Sequence, residues 1–414
     1  MADPARAGRT RTPLLSFRAA SPFRFHQAGT DPETEQAGRG GEVCYTSLGQ
    51  FARNVVGRHP QQFRTMAGTV SLPCLPREAW PTFDFARRRV LFLLPSQALG
   101  SNVCTLLFLS ALRARFRPRG LGVFCAGSAA DIYRTVPGIE LFTLWLGARD
   151  LARYDAVVDL GHLESRRDID IWPVDMEGEL LEAFGLPPSP DYPAEARPIP
   201  AGRPPRIAVM PLSSTPMRTL PPAVTSELLR ALAGRGEVTL CLNDNQHQGR
   251  LYRRALDLPA ALPVVDAYPT VGGLLRGIRD FDYAVLADSG PAHMTKLFAL
   301  PGLAIYSSAP PAVLQGRFRN LAAWTVPYVG PDCAAPCGLA KLRIAADGRV
   351  GCMGSLRLPL ERLPRTAQAA DPAAVERLLL AEPIPCMARM REMATTIADL
   401  AVADLDRRLA GPRS

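Results

Sequence analysis

Residues 281–301 read FDYAVLADSGPAHMTKLFALP, and the choice of fold turns on them. Residues 283–287 are an apolar run of strand length, suited to a strand buried on both faces. Asp288-Ser289-Gly290 is turn chemistry. Pro291 then stands where a first helical residue would, because its missing N–H breaks no bond there. Met294, Leu297, Phe298 and Leu300 recur at helical spacing until Pro301 stops the helix. Such a unit gathers free backbone N–H groups and the positive end of a helix dipole at one spot, which suits a phosphate or diphosphate. The turn by itself also describes an ordinary strand-to-helix corner. Lys296, one of only two lysines beside 46 arginines, reads as a solvated helix position.

Upstream of this unit, strands and helices alternate. Residues 207–210, 238–242 and 264–265 read as strands, and 221–233, 251–256 and 271–278 as helices; 303–306 closes the series. Further back the alternation appears a first time. Residues 90–94, 121–125, 139–145 and 156–160 read as strands, and 102–116 as a helix. A proline-rich stretch separates the two series, and alternation of this kind implies parallel sheets covered on both faces. The expected organisation is an N-terminal extension over 1–86, with the first forty residues disordered or loosely attached and a small β or mixed appendage at 43–75. An N-terminal Rossmann-like domain follows over 87–190, then a linker over 191–205 and a second Rossmann-like domain over 206–325. Residues 326–414 form a cysteine-bearing loop and a helical tail, 387–409. Two such α/β domains facing a cleft would bind ligands at the carboxyl ends of their strands.

Composition narrows the partners. Hydrophobic content of 47% over 414 residues is ample for two cores. The net charge of +9 is carried by arginine, with no basic run interleaved with aromatics, so nucleic acid is not an expected partner. The same charge allows a peripheral contact with an anionic membrane surface. No apolar run approaches the length of about 18 residues that suggests a membrane span, and no apolar h-region follows the N-terminal arginines. Nine cysteines, an odd number in a long chain, fit a reducing compartment. A cytoplasmic protein is expected, at the inner face of the membrane if it touches lipid.

Five separate stretches, in order, resemble motifs of glycosyltransferase family 9, the bacterial heptosyltransferases. Leu99-Gly100-Ser101-Asn102 is similar to the family's Leu-Gly-Asp motif. Tyr154-Asp155 through Leu160 is similar to its Tyr-Asp-x-x-Ile-Asp-Leu strand. Met210-Pro211 through Pro221 resembles the segment entering the second domain, with Arg218 where the family has a phosphate-binding lysine. Asp288, Ser289, Gly290 and His293 match the donor-site signature, and Cys333, Pro336, Cys337 and Cys352 resemble a cysteine-containing loop.

The resemblance implies a GT-B-type fold and an inverting transfer of a sugar, ADP-heptose being the family's donor, to a saccharide or protein hydroxyl. It implies donor contacts from Ser213, Ser214, Arg218, Asp288, Ser289, Gly290 and His293. No cofactor is required for the chemistry if Arg218 and the helix near Pro291 carry the diphosphate, whose charge paired guanidinium N–H groups can offset. Where the family has a Gly-Gly-x-x-Glu-type loop, this chain has Asn243-Asp244-Asn245-Gln246, and Asp244 is the candidate acceptor for the ribose. The family's catalytic Asp is here Ser101, and a serine is a poor base at neutral pH. Ser101 then orients the acceptor while Asp159 or Glu164 serves as base, or the reaction runs slowly on diphosphate stabilisation alone, or the chain is a non-catalytic sugar-nucleotide-binding or assembly protein. His162 beside Glu164 is a further candidate, or a structural histidine at a strand end.

Cys333, Cys337, Cys352 and Cys386 permit a tetrahedral thiolate site for structural zinc or iron, or stand as free thiols. Autotransporter protein heptosyltransferases, a related branch, combine an N-terminal extension with a four-cysteine iron site, and the layout of this chain is similar.

Overall fold

The computed structural model describes residues 75–94, 98–125, 127–143, 152–160, 175–242, 247–258, 263–266, 270–363, 365–366 and 372–411, together with five earlier strands. These five are β1 (Leu14–Phe17), β2 (Arg24–Gln27), β3 (Glu42–Cys44), β4 (Gln61–Thr65) and β5 (Gly68–Leu72), in one sheet of order β3-β2-β1-β4-β5. Within the first forty residues, β1 and β2 pair antiparallel with each other. Their short alternations, Leu-Leu-Ser-Phe and Arg-Phe-His-Gln, were hidden among arginines and glycines.

The chain divides into two compact units: Met1–Ala98 with Phe108–Ser165 and Leu181–Pro188, and Leu99–Leu107 with Arg166–Leu180 and Ser189–Ser414. The first unit carries a four-stranded parallel sheet of β6 (Arg89–Leu94), β7 (Gly120–Cys125), β8 (Ile139–Phe142) and β9 (Ala156–Asp159), in the order β8-β7-β6-β9. β6 is central, and its residues Val90 to Leu94 are buried. That is why it reads as an unbroken apolar run rather than an alternating one. Phe85, Phe92 and Phe108 each pack at a tilt against Phe184.

The second unit carries six parallel strands: β10 (Arg206–Met210), β11 (Glu237–Leu242), β12 (Val264–Asp266), β13 (Tyr283–Ala287), β14 (Gly302–Tyr306) and β15 (Leu321–Thr325). Their order, β12-β11-β10-β13-β14-β15, is the doubly wound 3-2-1-4-5-6 arrangement. β15 corrects the reading that 303–306 closes the sheet. Only Leu321 of β15 is buried, as on a half-covered edge strand, so its run looks like loop.

Helix α1 (Leu99–Phe116) follows β6; α2 (Met176–Ala183), α3 (Pro222–Ala233), α4 (His247–Ala255) and α5 (Val271–Asp280) come before β13. After β13 the helix is shorter than expected. It is a five-residue α6 (Gly290–Met294) that passes into a 3-10 turn, Thr295–Phe298, and ends at Ala299 in the left-handed region. The tail is two helices, α7 (Pro385–Glu392) and α8 (Ala394–Leu409), broken at Met393, rather than one.

The tail completes the second core. Ile397, Ala398, Ala401 and Leu405 of α8 are buried in one cluster with Leu228, Leu229 and Leu232 of α3. Tyr283 of β13 donates its hydroxyl to Asp404 at 2.9 Å. Asp404 in turn accepts from Arg407 and Arg408, so the buried carboxylate is paired. Among the described residues no helix is long and apolar enough to cross a membrane.

Candidate active site

In a 3-2-1-4-5-6 sheet the chain winds away in opposite directions from strands 1 and 4, which leaves a crevice at their carboxyl ends. Here those strands are β10 and β13. β10 ends at Met210 and feeds the turn 211–220; β13 ends at Ala287 and feeds Asp288-Ser289-Gly290. Two motifs separated by about seventy residues of sequence thus meet by topology alone.

The turn after β10 is held by its own polar groups. Thr219 Oγ1 accepts from the Ser213 N–H at 3.1 Å and donates to the Thr215 carbonyl at 3.0 Å. Gln248, on α4, donates to Thr219 Oγ1 at 2.6 Å and to the Ser213 carbonyl at 3.2 Å. Arg218 leaves this turn with Nη1 3.5 Å from Asp288 Oδ1 and Nη2 donating to Ser214 Oγ at 3.2 Å. Several polar atoms here are buried without a partner: Ser213 Oγ, Thr215 Oγ1, Arg218 Nε, Asp288 Oδ2 and His293 Nδ1. Buried polar groups are ordinarily satisfied, so this concentration marks a place built to receive polar atoms. Thr215 and Gln248 were missed from sequence. The only available signal was that Thr215 lies between Ser214 and Arg218.

Electrostatics follow from burial. Asp288 is 2% exposed; burial pushes its carboxyl up, and the charge and hydrogen bond of Arg218 pull the other way. Burial holds the His293 imidazole well below its ordinary value, and the charges of Lys296 and Arg218 lower it further. The ring is enclosed, although the residue as a whole keeps some exposure. His293 is therefore neutral near pH 7.

Lys296 is not solvated. It is 4% exposed, donates to the Leu314 carbonyl at 2.6 Å and lies 5.1 Å from the centre of the Phe318 ring. A buried ammonium is tolerable with a carbonyl, an aromatic face and a carboxylate nearby. Glu177, 2% exposed and 3.1 Å from Arg317, is that carboxylate; burial raises its pKa while the charges of Arg317 and Lys296 oppose the rise.

The first turn of α1 packs on this site. A Cβ on Gly100 would stand 2.7 Å from His293 Cδ2, and one on Gly290 would stand 2.9 Å from Leu99 Cβ. Both glycines are required by close approach. Ser101 lies next to the Gly100 contact and is half-buried. Asp159 is 4% exposed at the carboxyl end of β9. Ser289 Oγ donates to the Ala287 carbonyl at 3.1 Å, within its own turn. His162, Glu164 and Asp244 lie outside the described residues.

The four late cysteines line one small cavity with Met217, Ser307, Ser308 and Tyr328. Its volume is about 10 Å³, room for the centre of a single water-sized sphere. Burial, and the neighbouring thiols, raise the Cys333 thiol to about 11 and push Cys386 up still further. The donor set and the cavity size suit one thiophilic cation. The expected ligand set is nonetheless not drawn together: among the described residues no three His, Cys, Asp or Glu side chains form a group that could hold a metal ion. A larger cavity, about 560 Å³, runs between α3 and residues 378–395. It borders Pro216 and Thr219 but not Arg218, Asp288 or His293, so its size does not make it the site.

No protein-family model and no curated protein sequence matches the chain. Solved structures do. The iron-containing dodecameric glycosyltransferase TibC from enterotoxigenic E. coli H10407 is similar with a TM-score of 0.50 and 13% identity, over 79% of this chain and 78% of that one. E. coli heptosyltransferase WaaC with ADP is similar at a TM-score of 0.44 and 15% identity, over 58% and 93%. The family 9 glycosyl transferase from Veillonella parvula DSM 2008 is similar at 0.46 and 12%, over 59% and 87%.

The two parallel α/β sheets and their neighbours define the class: a GT-B-type glycosyltransferase fold. Of the three neighbours, TibC is similar over the largest share of this chain.

Proposed function

We propose that the protein is an inverting glycosyltransferase that moves a heptose from ADP-heptose to a hydroxyl of a saccharide or a protein. The observation that carries the reading is Arg218 beside Asp288 at the switch point of the sheet, amid buried and unsatisfied hydroxyl and ring-nitrogen atoms. A guanidinium and hydroxyl donors suit a diphosphate, and their work is greatest when charge grows on the leaving nucleotide. The adenine and heptose come from the kind of donor that TibC and WaaC carry in their solved complexes. The short α6 leaves Arg218 as the main counter-charge, with no divalent ion needed for the transfer.

In the proposed reaction the acceptor oxygen attacks the anomeric carbon opposite the diphosphate, and that carbon–oxygen bond breaks toward ADP. Asp159 or Glu164 takes the acceptor proton, and Ser101 orients the hydroxyl. Asp244 contacts the ribose; Ser213, Ser214, Ser289, Gly290 and His293 line the donor. Cys333, Cys337, Cys352 and Cys386 are the residues that would hold a structural zinc or iron. Cys104, Cys125, Cys241, Cys333, Cys337, Cys352 and Cys386 form no disulfide, and the proposed place of work is the cytoplasmic side of the membrane.

Incubation with ADP-heptose, UDP-sugars and GDP-sugars tests the reading. Release of ADP from ADP-heptose, stimulated by a saccharide or peptide acceptor, is expected. Failure to bind any nucleotide sugar rejects it. The second reading, a non-catalytic binder on the same fold, is favoured by Ser101 where the resembled family has its base. Binding of ADP-heptose without turnover by any acceptor selects that reading.

A further inference from the structure

The turn 211–220 is held from outside by α4 (His247–Ala255). Two residues of that helix, one turn apart and so on the same face, reach across to it. Gln248 Nε2 donates to Thr219 Oγ1 at 2.6 Å and to the Ser213 carbonyl at 3.2 Å. Tyr252 donates its hydroxyl to the Leu220 carbonyl at 2.8 Å, and the Leu220 N–H closes the turn on the Pro211 carbonyl at 2.9 Å. The Ser213 carbonyl can only accept, so the Gln248 atom facing it is the amide nitrogen. Both N–H groups of that amide are thereby used inside the protein.

Thr219 is where these bonds converge. Its hydroxyl has one proton and two lone pairs. The proton goes to the Thr215 carbonyl at 3.0 Å, and the lone pairs take the Ser213 N–H at 3.1 Å and the Gln248 amide. The side chain is 1% exposed, and its bonding capacity is full. The Thr215 carbonyl also accepts from the N–H groups of Arg218 and Thr219, both at 3.2 Å. What the turn leaves buried without a partner is a different set of atoms: Ser213 Oγ, Thr215 Oγ1 and Arg218 Nε. The groups that hold the turn and the groups that it presents are therefore separate.

We infer that Gln248 is a positioning residue: by saturating Thr219 and the Ser213 carbonyl, it holds Ser213, Thr215 and Arg218 in the one arrangement that receives a nucleoside diphosphate. This rests on the proposed function only in taking a diphosphate as the ligand of the turn. Gln248 has no amide N–H left for a ligand, so it acts through the turn. Without it, Thr219 keeps a vacant lone pair and the Ser213 carbonyl loses a donor. A half-satisfied polar network no longer specifies one arrangement. A ligand that fits one arrangement among several binds more weakly, in proportion to the fraction of the protein that holds it.

Titration calorimetry of the full chain with ADP and with adenosine tests this, with urea unfolding reporting whether the fold is kept. Gln248→Leu removes both donors at similar size. It should weaken ADP binding roughly tenfold, as for a binding arrangement held by about one molecule in ten. Adenosine, which has no phosphate for the turn, should bind the variant as it binds the wild type. Thr219→Val removes the hydroxyl on which the bonds converge and should weaken ADP by a similar factor. Thr219→Ser keeps that hydroxyl and should stay near the wild type. Gln248→Leu added to Thr219→Val should have little further effect, because both act on one network.

Unchanged ADP affinity in folded Gln248→Leu, an equal loss for ADP and adenosine, or additive losses in the double variant each overturns the inference. So does unchanged ADP affinity in Thr219→Val, which does not depend on the glutamine variant folding. All four leave the proposed function standing, because the wild type still binds ADP. Absence of ADP binding by the wild type removes that reading and the inference together.

Discussion

Removing the guanidinium of Arg218 separates two effects, the proposed contact with a diphosphate and the pairing with Asp288. Arg218 faces Asp288 at 3.5 Å and Ser214 at 3.2 Å, and keeps a buried, unpaired Nε. A hydrogen bond to a charged group contributes about 1.5–3 kcal/mol. Loss of one such bond to a diphosphate therefore predicts roughly 10- to 150-fold weaker ADP binding in Arg218→Ala. Adenosine, which has no phosphate, should bind the variant as it binds the wild type. The same substitution leaves Asp288, 2% exposed, without its counter-charge.

Breaking a fully buried pair costs about 3–5 kcal/mol. The 18% exposure of Arg218 and the 3.5 Å separation argue for less, about 1–2 kcal/mol of stability. Adding Asp288→Asn should return most of that stability and none of the ADP affinity. Calorimetric titration with ADP and adenosine, alongside urea unfolding, reads both effects. Equal ADP affinity in wild type and Arg218→Ala, or affinity restored by Asp288→Asn, would refute the argument.

His293 is held neutral by burial, with a pKa well below the ordinary 6.5. Its contribution is present above pH 6.5 and lost as pH falls, because the unfolded chain takes the proton that the folded chain refuses; the expected slope approaches about 1.4 kcal/mol per pH unit. His293→Gln should flatten urea-unfolding stability between pH 6.5 and 5, and an unchanged slope counts against the assignment. Asp159→Asn or Glu164→Gln should lower turnover roughly a hundredfold or more with donor affinity intact, and full activity in both removes the base assignment. Protein purified without chelator should hold about one zinc or iron per chain, and a trace unchanged by Cys333→Ser or Cys337→Ser rejects the metal site. Leu405→Ala, at a fully buried position of α8, should cost about 2–5 kcal/mol in urea unfolding; a cost under about 0.5 kcal/mol would deny the tail a place in the core.

The strands buried on both faces were the most legible elements, because β6 and β13 spell themselves as unbroken apolar runs. The edge strand β15 was not legible: one buried residue in five leaves no period to read. Helix α6 looked longer in sequence because a 3-10 turn continues it, carrying the same apolar residues to Phe298. In the candidate site, Arg218 and Asp288 came from the resemblance to family 9 motifs, not from charge or turn chemistry, and the structure brings the two to 3.5 Å. The role of Lys296 depends on Leu314, Phe318 and Glu177, which only the tertiary fold brings to it. Nor could spacing show that Met217 would stand beside the cysteines, since the contact joins segments more than a hundred residues apart.

The departure at Ser101 bears on chemistry more than on architecture. The contacts at the start of α1 run from Gly100 to His293 and from Leu99 to Gly290, and neither uses the side chain of residue 101. A serine there leaves the glycine packing untouched, so the site can keep its shape while losing a carboxylate. What remains is a question of proton transfer alone. Asp159 closes β9, beside β6, the strand whose chain runs on into Leu99. Glu164, the other proposed base, lies outside the described residues. If neither acid serves, the proposed diphosphate contacts of Arg218 and the neighbouring hydroxyls are unaffected. The chain would then bind a nucleotide sugar without passing it on.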